Sequence, residues 1–220
     1  MVNRKASLFD KGRATRAFAV LLLAAGITAT TNLGLHAWAE SCADVEVVVA
    51  RGTQELGHLG SIVGDPLYDT LRQALPVSSG PYRVNYTADL LDPASLSRGT
   101  QDLTAHVIQQ SVDCPDQRFI LVGYSQGAVV VHGVLGTGIV TTLPGIYPLP
   151  GDLEWKVSAV LLFGDPLRAV GWSVPGQFAG RTADYCAGGD PVCGGGIDPT
   201  QHSNYGWATW PAAEFAANHL

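Results

Sequence analysis

The sequence predicts an α/β fold of three layers, in which a five-stranded, mainly parallel sheet lies between two layers of helices. Short apolar runs rich in β-branched residues alternate along the chain with longer runs of helix length, and this alternation is typical of a parallel sheet. The 181 residues that follow position 39 are enough for one domain with a full hydrophobic core.

The first three predicted elements are a strand, a helix and a second strand. Residues 45–50 (VEVVVA) have the valine content and length of a buried strand. A helix is expected over residues 65–75, with Asp65 as the N-cap residue and Pro66 in the first helical position. Residues 82–87 (YRVNYT) predict the second strand.

The middle of the chain continues the same alternation. Residues 97–111 predict a helix with an apolar face, and residues 118–122 (RFILV) predict a buried strand. A helix is expected over residues 128–135, although several β-branched residues weaken its helix propensity. Two further strands are expected over residues 157–163 and 181–185.

A helical region is expected over residues 204–217, interrupted at Pro211 because a proline inside a helix removes a hydrogen bond. Two stretches are expected to be irregular. Residues 137–153 form an apolar loop with three prolines, and residues 186–200 form a glycine-rich loop.

Residues 1–39 are predicted to be a signal peptide, followed by a single domain over residues 40–220. A basic segment precedes the uncharged apolar run 17–27, and residues 37–39 (AWA) match a signal-peptidase cleavage site. The apolar run is short for a transmembrane helix, so no stable membrane span is expected after cleavage. An uncleaved N-terminal membrane anchor is the alternative. We therefore expect a protein secreted to the extracellular space, with association with the cell wall left open.

The charge of the predicted mature chain excludes some classes of partner. The first 39 residues contain five of the 13 Lys and Arg residues but one of the 19 Asp and Glu residues. The remainder therefore carries a formal charge of −10, which argues against binding to nucleic acid or to anionic membranes.

All four cysteines lie after residue 39, at Cys42, Cys114, Cys186 and Cys193. An even number of cysteines in an exported protein predicts two disulfides, for which the sequence alone allows three pairings. A zinc site is the alternative, but the chain has no C-x₂-C spacing to support it.

Gly123-Tyr124-Ser125-Gln126-Gly127 lies between the predicted strand 118–122 and the predicted helix 128–135. A G-x-S-x-G sequence between a strand and a helix is typical of a nucleophile elbow, in which the serine is held on a sharp turn. The pattern occurs by chance in glycine-rich chains, so the interpretation depends on the flanking elements. Ser125 is the candidate nucleophile, and an incidental serine in a turn is the alternative.

A serine nucleophile needs a basic side chain, which in this arrangement follows it in the chain. The candidates are His132, His202 and His219. His202 is favoured because it lies in a loop after the last predicted strand. His132 falls inside a predicted helix, where a packing role is expected, and His219 is the penultimate residue.

The acid that orients the base is expected between the last strand and His202. Asp184, Asp190 and Asp198 all lie in or near this interval. Asp190 is favoured because a disulfide between its flanking cysteines would fix its backbone, and a rigid backbone suits an orienting residue. Asp198 is expected in a turn, and Asp184 at the surface end of a strand.

Two hydrogen-bond donors must stabilise the oxyanion of an acyl-transfer reaction. The backbone N–H of Gln126 follows the nucleophile and is the first candidate. Residues 51–53 directly follow the first strand and are the candidate source of the second donor, with an ordinary turn as the alternative.

In these motifs the chain resembles the cutinase family. The similarity extends over essentially all of the predicted mature chain, and its motifs occur in the family's order. They are A-R-G-T at 50–53, L-S-R-G at 96–99, C-P-D at 114–116, G-Y-S-Q-G at 123–127, L-F-G-D-P at 162–166 and C-x₃-D-x₂-C at 186–193.

The resemblance implies a small α/β-hydrolase fold without a full lid, and ester hydrolysis without a cofactor or metal. It implies a catalytic triad of Ser125, Asp190 and His202, and an oxyanion hole formed by Thr53 and Gln126. It also implies disulfides between Cys42 and Cys114 and between Cys186 and Cys193.

Two segments depart from the family pattern. Many cutinases have several aliphatic residues between the second loop cysteine and the histidine, whereas Ile197 is the one large apolar residue in 194–201. This puts tight binding of long acyl chains in doubt. The 137–153 segment looks longer than usual, and its apolar residues could form a flap over the site or pack on the sheet; they are Leu143, Ile146, Tyr147 and Leu149.

These observations favour a serine carboxylesterase that acts as a monomer on small-molecule or polymeric esters, namely short- to medium-chain lipid or cutin-like polyester esters. An acetylxylan esterase is the first alternative, for which Trp172 or Trp207 would stack on sugars, although we expect both to pack in the core. A non-catalytic secreted binding protein is the second alternative, and an intact set of triad residues argues against it.

Overall fold

The computed structural model describes residues 42–220. The predicted signal peptide and the boundary after residue 39 lie outside these residues, so both stay predictions. Within the described part of the chain, no helix is long and apolar enough to cross a membrane.

A five-stranded sheet forms the centre of the domain, and every neighbouring pair of its strands is parallel. The spatial order is β2-β1-β3-β4-β5. The strands are β1 Val45–Ala50, β2 Ser79–Arg83, β3 Arg118–Tyr124, β4 Val157–Phe163 and β5 Thr182–Tyr185. The predicted parallel sheet is confirmed, and its central strands are almost wholly buried because helices cover both faces.

Helices form a layer on each face of the sheet. The α-helices are α1 Gly64–Ala74, α2 Ser95–Asp113, α3 Gln126–Val134, α4 Gly138–Thr141, α5 Pro166–Ala169, α6 Gly176–Ala179 and α7 Thr209–Ala217. Three short 3₁₀ helices span Gly151–Lys156, Pro199–Ser203 and Gly206–Ala208. Apolar residues of α1 and α7 pack in one core, and those of α2 and α3 pack in a second core across the sheet. The predicted three-layer architecture is therefore confirmed.

The strand register brings the functional loops together. Ala50 at the end of β1 pairs with Gly123, and Tyr124 at the end of β3 pairs with Phe163 at the end of β4. Phe163 in turn pairs with Tyr185 at the end of β5. Since parallel strands end at one edge of the sheet, the segments that follow them meet there.

The second strand begins three residues and ends four residues earlier than predicted, at Ser79–Arg83 instead of 82–87. The strand contains Pro81, which cannot donate a hydrogen bond to a sheet. However, β2 is an edge strand, where a proline is tolerated. Pairing with β1 extends only as far as the N–H of Val84, which donates to the carbonyl of Val49.

Two predictions about helix ends were wrong. Val63, and not Asp65, occupies the N-cap position of α1, and the Asp65 carboxylate accepts hydrogen bonds from the backbone N–H groups of His58 and Leu59. Pro211 does not interrupt the last helix, because it lies in the first turn of α7, where its missing N–H has no intrahelical partner to lose.

Both disulfides have the pairing that the family resemblance implies. Cys42 is bonded to Cys114, and Cys186 is bonded to Cys193. The first attaches the start of the described chain to the end of α2. The second closes a short loop between residues seven positions apart, just after β5.

One part of the 137–153 segment is packed. Leu149 is buried in the core that α2 and α3 form with the sheet, and its N–H donates to the carbonyl of Val134. Thr104 on α2 donates its hydroxyl to the carbonyl of Tyr147 at 2.6 Å. The side chains of Leu143 and Tyr147 are exposed, so the packed alternative holds for Leu149 and not for the whole segment.

Candidate active site

Ser125 occupies a sharp turn between β3 and α3, with φ of 52° and ψ of −118°. This backbone conformation is unusual for a residue with a side chain and is typical of a nucleophile elbow. Glycines on both sides make the turn possible. A Cβ at Gly127 would lie 1.9 Å from the carbonyl oxygen of Ala50, and one at Gly123 would lie 2.7 Å from the Cα of Ala128. The G-x-S-x-G pattern is therefore explained by backbone packing.

The three residues predicted as a triad meet at the edge of the sheet. His202 Nε2 lies 2.9 Å from Ser125 Oγ, and His202 Nδ1 lies 2.8 Å from Asp190 Oδ2. Asp190 is fully buried, whereas about a fifth of the His202 side chain, 19%, is exposed to solvent. This geometry allows His202 to accept the Ser125 proton while Asp190 orients the ring.

The Asp190 carboxylate is held by donors on both oxygens. The N–H of Val192 donates to Oδ1 at 2.7 Å, and the Tyr205 hydroxyl donates to Oδ2 at 2.6 Å. Burial by itself raises the pKa of Asp190. The hydrogen bonds from Tyr205, His202 and Val192 outweigh that cost and lower its pKa below the ordinary value of 3.8. Asp190 is consequently ionised at neutral pH.

The other candidate acids have different surroundings. Asp198 caps the 3₁₀ helix Pro199–Ser203 by accepting the N–H of Thr200 at 3.0 Å, as the predicted turn requires. Asp184 lies near the end of β5, as predicted, but it is half-buried and not at the surface. It lies 3.4 Å from Arg168, and its buried Oδ1 atom has no hydrogen-bond partner among residues 42–220.

The other two candidate bases do not contact Ser125. His132 is fully buried in α3, between the Asp165 carboxylate at 2.9 Å and the Thr137 hydroxyl at 2.8 Å. His219 lies at the end of α7, beside the carbonyl oxygens of Phe215 and Gly180.

Gln126 directly follows the nucleophile, and the loop that contains Thr53 packs against the elbow. Gln126 is the first residue of α3, so its N–H belongs to the helix end where backbone donors lack intrahelical acceptors. Thr53 lies in the loop after β1, which is held against the elbow because Gly127 packs on the carbonyls of Ala50 and Arg51. The Gln126 side chain donates to the carbonyl of Asp89 at 3.3 Å.

Sequence reasoning missed the residues that support this loop. The buried Glu55 carboxylate accepts the N–H groups of Gly52 at 2.7 Å and Ile62 at 2.6 Å. Arg51 donates to the carbonyls of Tyr86 and Thr87. A sequence does not show whether a Glu or Arg side chain is buried. The position of these residues beside Thr53 was therefore the one indication of their supporting role.

Two tyrosines around His202 were also missed. The Tyr124 hydroxyl donates to the carbonyl of His202 at 2.6 Å, and its ring lies against the imidazole. Tyr205 contacts Asp190 as described above. Their proximity in sequence to Ser125 and His202 was the available signal, but a tyrosine beside a motif is usually a packing residue.

The prediction that Trp172 and Trp207 pack in the core was wrong. Both side chains are substantially exposed, at 44% and 53%. Trp207 follows the active-site loop in the 3₁₀ helix Gly206–Ala208, and the edge of its ring packs against Tyr185.

Within residues 42–220, no group of three or more His, Cys, Asp or Glu side chains is arranged to hold a metal ion.

Comparison with known proteins agrees with this geometry. The family model described as Cutinase matches residues 41–220. A cutinase from Botryotinia fuckeliana is 35% identical over 213 residues, which cover 93% of this chain and 96% of that protein. Carboxylesterase Culp1 from Mycobacterium bovis is 37% identical over 199 residues, which cover 85% of this chain and 86% of the relative.

A solved structure has the same fold. The catalytic core domain of acetyl xylan esterase from Trichoderma reesei superimposes with a TM-score of 0.70 and 25% identity. The match covers 81% of this chain and 100% of that domain.

Proposed function

Because the chain belongs to the cutinase family, we propose that Ser125, His202 and Asp190 are the catalytic triad of its ester hydrolysis. The protein is a serine ester hydrolase of the carboxylesterase class. The observation that carries the proposal is the continuous hydrogen-bonded path from Ser125 Oγ through both ring nitrogens of His202 to Asp190.

The proposed reaction proceeds through an acyl-enzyme. Ser125 Oγ attacks the ester carbonyl carbon while His202 Nε2 takes the serine proton. The backbone N–H of Gln126 stabilises the tetrahedral oxyanion together with Thr53, whose hydroxyl assists. His202 then returns the proton to the departing alcohol. Water attacks the acyl-enzyme by the same steps and releases the acid.

Exposed apolar side chains on loops that follow the strands support lipid or cutin-like polyester substrates of short to medium chain length. Leu56 follows β1, Leu90 and Leu91 follow β2, and Ile197 precedes His202. All four are largely exposed, with Ile197 at 95%. Apolar groups on the loops around a catalytic edge favour contact with acyl chains. Ile197 alone extends from 194–201, which argues against tight binding of long chains.

An extracellular location is also part of the proposal. Two disulfides are typical of oxidising compartments, and the basic and apolar leader over residues 1–39 has the composition of a secretion signal. We propose a secreted monomer, and gel filtration of the purified protein at several concentrations measures its oligomeric state.

A carbohydrate esterase is the second candidate function. The exposed ring of Trp207, five residues after His202, is suited to stacking on a sugar. The structural similarity to an acetyl xylan esterase agrees with this candidate. It differs from the first candidate in requiring a short acyl group.

Initial rates on p-nitrophenyl acetate, butyrate, octanoate and palmitate separate these candidates, with Ser125→Ala as the blank. We expect a maximum at butyrate or octanoate, and we expect Ser125→Ala to lower kcat by about 10⁴-fold or more while melting near the wild type. Activity confined to acetate would favour the carbohydrate esterase. Turnover retained by folded Ser125→Ala would exclude the proposed nucleophile.

A further inference from the structure

Tyr205 lies three residues after His202, and its side chain is fully buried. Its ring packs edge-on against Tyr124 and Phe163, with centroid distances of 5.8 and 5.9 Å. Aromatic packing of this kind fixes the position of the ring, and therefore fixes the direction in which the hydroxyl group points.

The Tyr205 hydroxyl has partners for donation and acceptance. It donates to Asp190 Oδ2 at 2.6 Å, and it accepts from the N–H of Ala187 at 3.4 Å. Cys193 Sγ lies 3.3 Å away. Burial raises the pKa of Tyr205 above its ordinary value of 10, and its hydrogen bond to Asp190 raises it further, so the hydroxyl keeps its proton at working pH.

The same carboxylate oxygen serves two donors. Asp190 Oδ2 is 2.6 Å from the Tyr205 hydroxyl and 2.8 Å from His202 Nδ1. A carboxylate shared between two donors offers each of them less charge than it would offer one, and a second donor also restricts its rotation.

We propose that Tyr205 is a positioning residue for the hydrolytic reaction, whose hydroxyl holds Asp190 in the orientation that aims His202 at Ser125 and moderates the basicity of His202. The inference rests on the triad proposed above and extends it by a fourth residue, which acts through Asp190 without contact to the substrate.

A role in core packing alone makes different predictions. Phenylalanine fills almost the same volume as tyrosine, so Tyr205→Phe preserves the ring contacts and removes only the hydroxyl. If the hydroxyl orients Asp190, the change lowers kcat. It also leaves more of the carboxylate charge to stabilise the His202 imidazolium, which moves the acidic limb of the pH profile to higher pH.

The other ionisable groups that face this cluster are unchanged in the variant. Tyr124 lies against the His202 ring, and Glu55 lies beyond Tyr124 under the loop after β1. Tyr185 stacks on Phe163 in the same aromatic group and has no hydrogen bond to Asp190 among the contacts of residues 42–220, so Tyr185→Phe is the matched control.

The test is the dependence of kcat and kcat/KM on pH, with p-nitrophenyl butyrate as substrate. For Tyr205→Phe we expect kcat to fall about 10- to 100-fold with little change in KM. We expect the midpoint of the acidic limb of kcat/KM to rise by roughly half a pH unit or more. Tyr185→Phe is expected to keep the wild-type midpoint.

A second variant retains the hydroxyl and strengthens it as a donor. Incorporation of 3-fluorotyrosine at position 205 acidifies the phenol, so it takes up more of the carboxylate charge. The midpoint is then expected to shift to lower pH. Opposite shifts in the two variants cannot arise from a general loosening of the core.

Wild-type kcat and an unchanged midpoint in folded Tyr205→Phe would overturn the proposal. NMR titration of the His202 ring, assigned with His202→Gln, gives a readout that needs no turnover. An equal ring midpoint in wild type and Tyr205→Phe would also overturn it. Failure of the triad itself is recognised separately, since Ser125→Ala would then retain activity.

Discussion

Glu55 shows how one buried carboxylate organises the loop that follows β1. It accepts the N–H of Gly52, next to Thr53, and the N–H of Ile62 at the far end of the same loop. A Cβ at Gly60 would lie 2.5 Å from its Oε2 atom, so the carboxylate is enclosed by backbone. Glu55 therefore joins the two ends of the segment that carries the proposed second oxyanion donor.

Replacing Glu55 by glutamine is expected to displace this loop. Glutamine has one acceptor oxygen, and its NH₂ group would face an N–H donor. Because the loss affects a donor used in the transition state, kcat should fall about tenfold or more while KM changes little. Initial rates on p-nitrophenyl butyrate measure the effect.

The exposed Glu214→Gln on α7 is the matched control for Glu55→Gln. A folded Glu55→Gln with wild-type kcat would show that the loop is held without this carboxylate.

At the scale of elements, a buried polar contact connects α3 to the loop after β4. His132 on α3 contacts Asp165, which also caps α5 by accepting the N–H of Leu167. Asp165 follows Gly164, where a Cβ would lie 2.7 Å from the His202 ring. The segment that contacts the ring of the proposed base His202 is thus held by a buried contact to α3.

Asp184 on the edge strand β5 lies near His132 and Asp165, and its burial disfavours the ionised form of its carboxyl group. The pKa of Asp184 is raised from 3.8 to about 6, mainly by burial and also by the neighbouring Asp165, against the opposing effect of Arg168. The folded protein therefore holds a proton on Asp184 more tightly than the unfolded chain does. The stability contribution of this proton is complete below about pH 4 and is lost as the pH rises through about 6.

Asp184→Asn should accordingly stabilise the protein at pH 7.5 and change little at pH 4, since asparagine is uncharged at both values. A shift of about two pKa units corresponds to at most about 3 kcal/mol in the free energy of unfolding. Thermal unfolding at the two pH values measures the difference.

Asp116→Asn, at an exposed position, controls for the loss of one negative charge. An Asp184→Asn variant with the same stability difference from wild type at both pH values would contradict the raised pKa.

For the whole molecule, the two disulfides have different consequences. Cys42–Cys114 joins residues 72 apart at the starts of β1 and β3, whereas the proposed triad lies where the strands end. Cys186–Cys193 joins residues seven apart and encloses Asp190. A cross-link stabilises mainly by restricting the unfolded chain, which predicts about 4 kcal/mol for the longer loop and about 2 kcal/mol for the shorter one.

Paired serine variants should separate stability from activity. Cys42→Ser with Cys114→Ser is expected to lower the melting temperature more, while kcat at 25 °C stays near the wild type. Cys186→Ser with Cys193→Ser is expected to lower kcat more, because the Asp190 backbone becomes free to move. Thermal unfolding and initial rates are measured on both double variants. The reverse order of effects would contradict a mainly stabilising role for Cys42–Cys114 and a role in activity for Cys186–Cys193.

The predictions of strands from the sequence were correct where the local pattern and the tertiary context agree. The runs at 45–50 and 157–163 became strands with those bounds, because a continuous apolar strand is stable only at the centre of a covered sheet. The second strand was displaced because its position at the edge makes Pro81 acceptable. Trp172 and Trp207 are exposed because residue type alone does not determine burial.

The sequence by itself determined the elbow at Ser125 and limited the partners to a few His and Asp residues. This was possible because glycine spacing, turn geometry and chain order are properties of adjacent residues. The tertiary structure alone decided that Tyr205 meets Asp190 and that Glu55 supports the loop at Thr53. These contacts join separate loops, and they depend on strand register and on the enclosure of polar groups, neither of which a local pattern encodes.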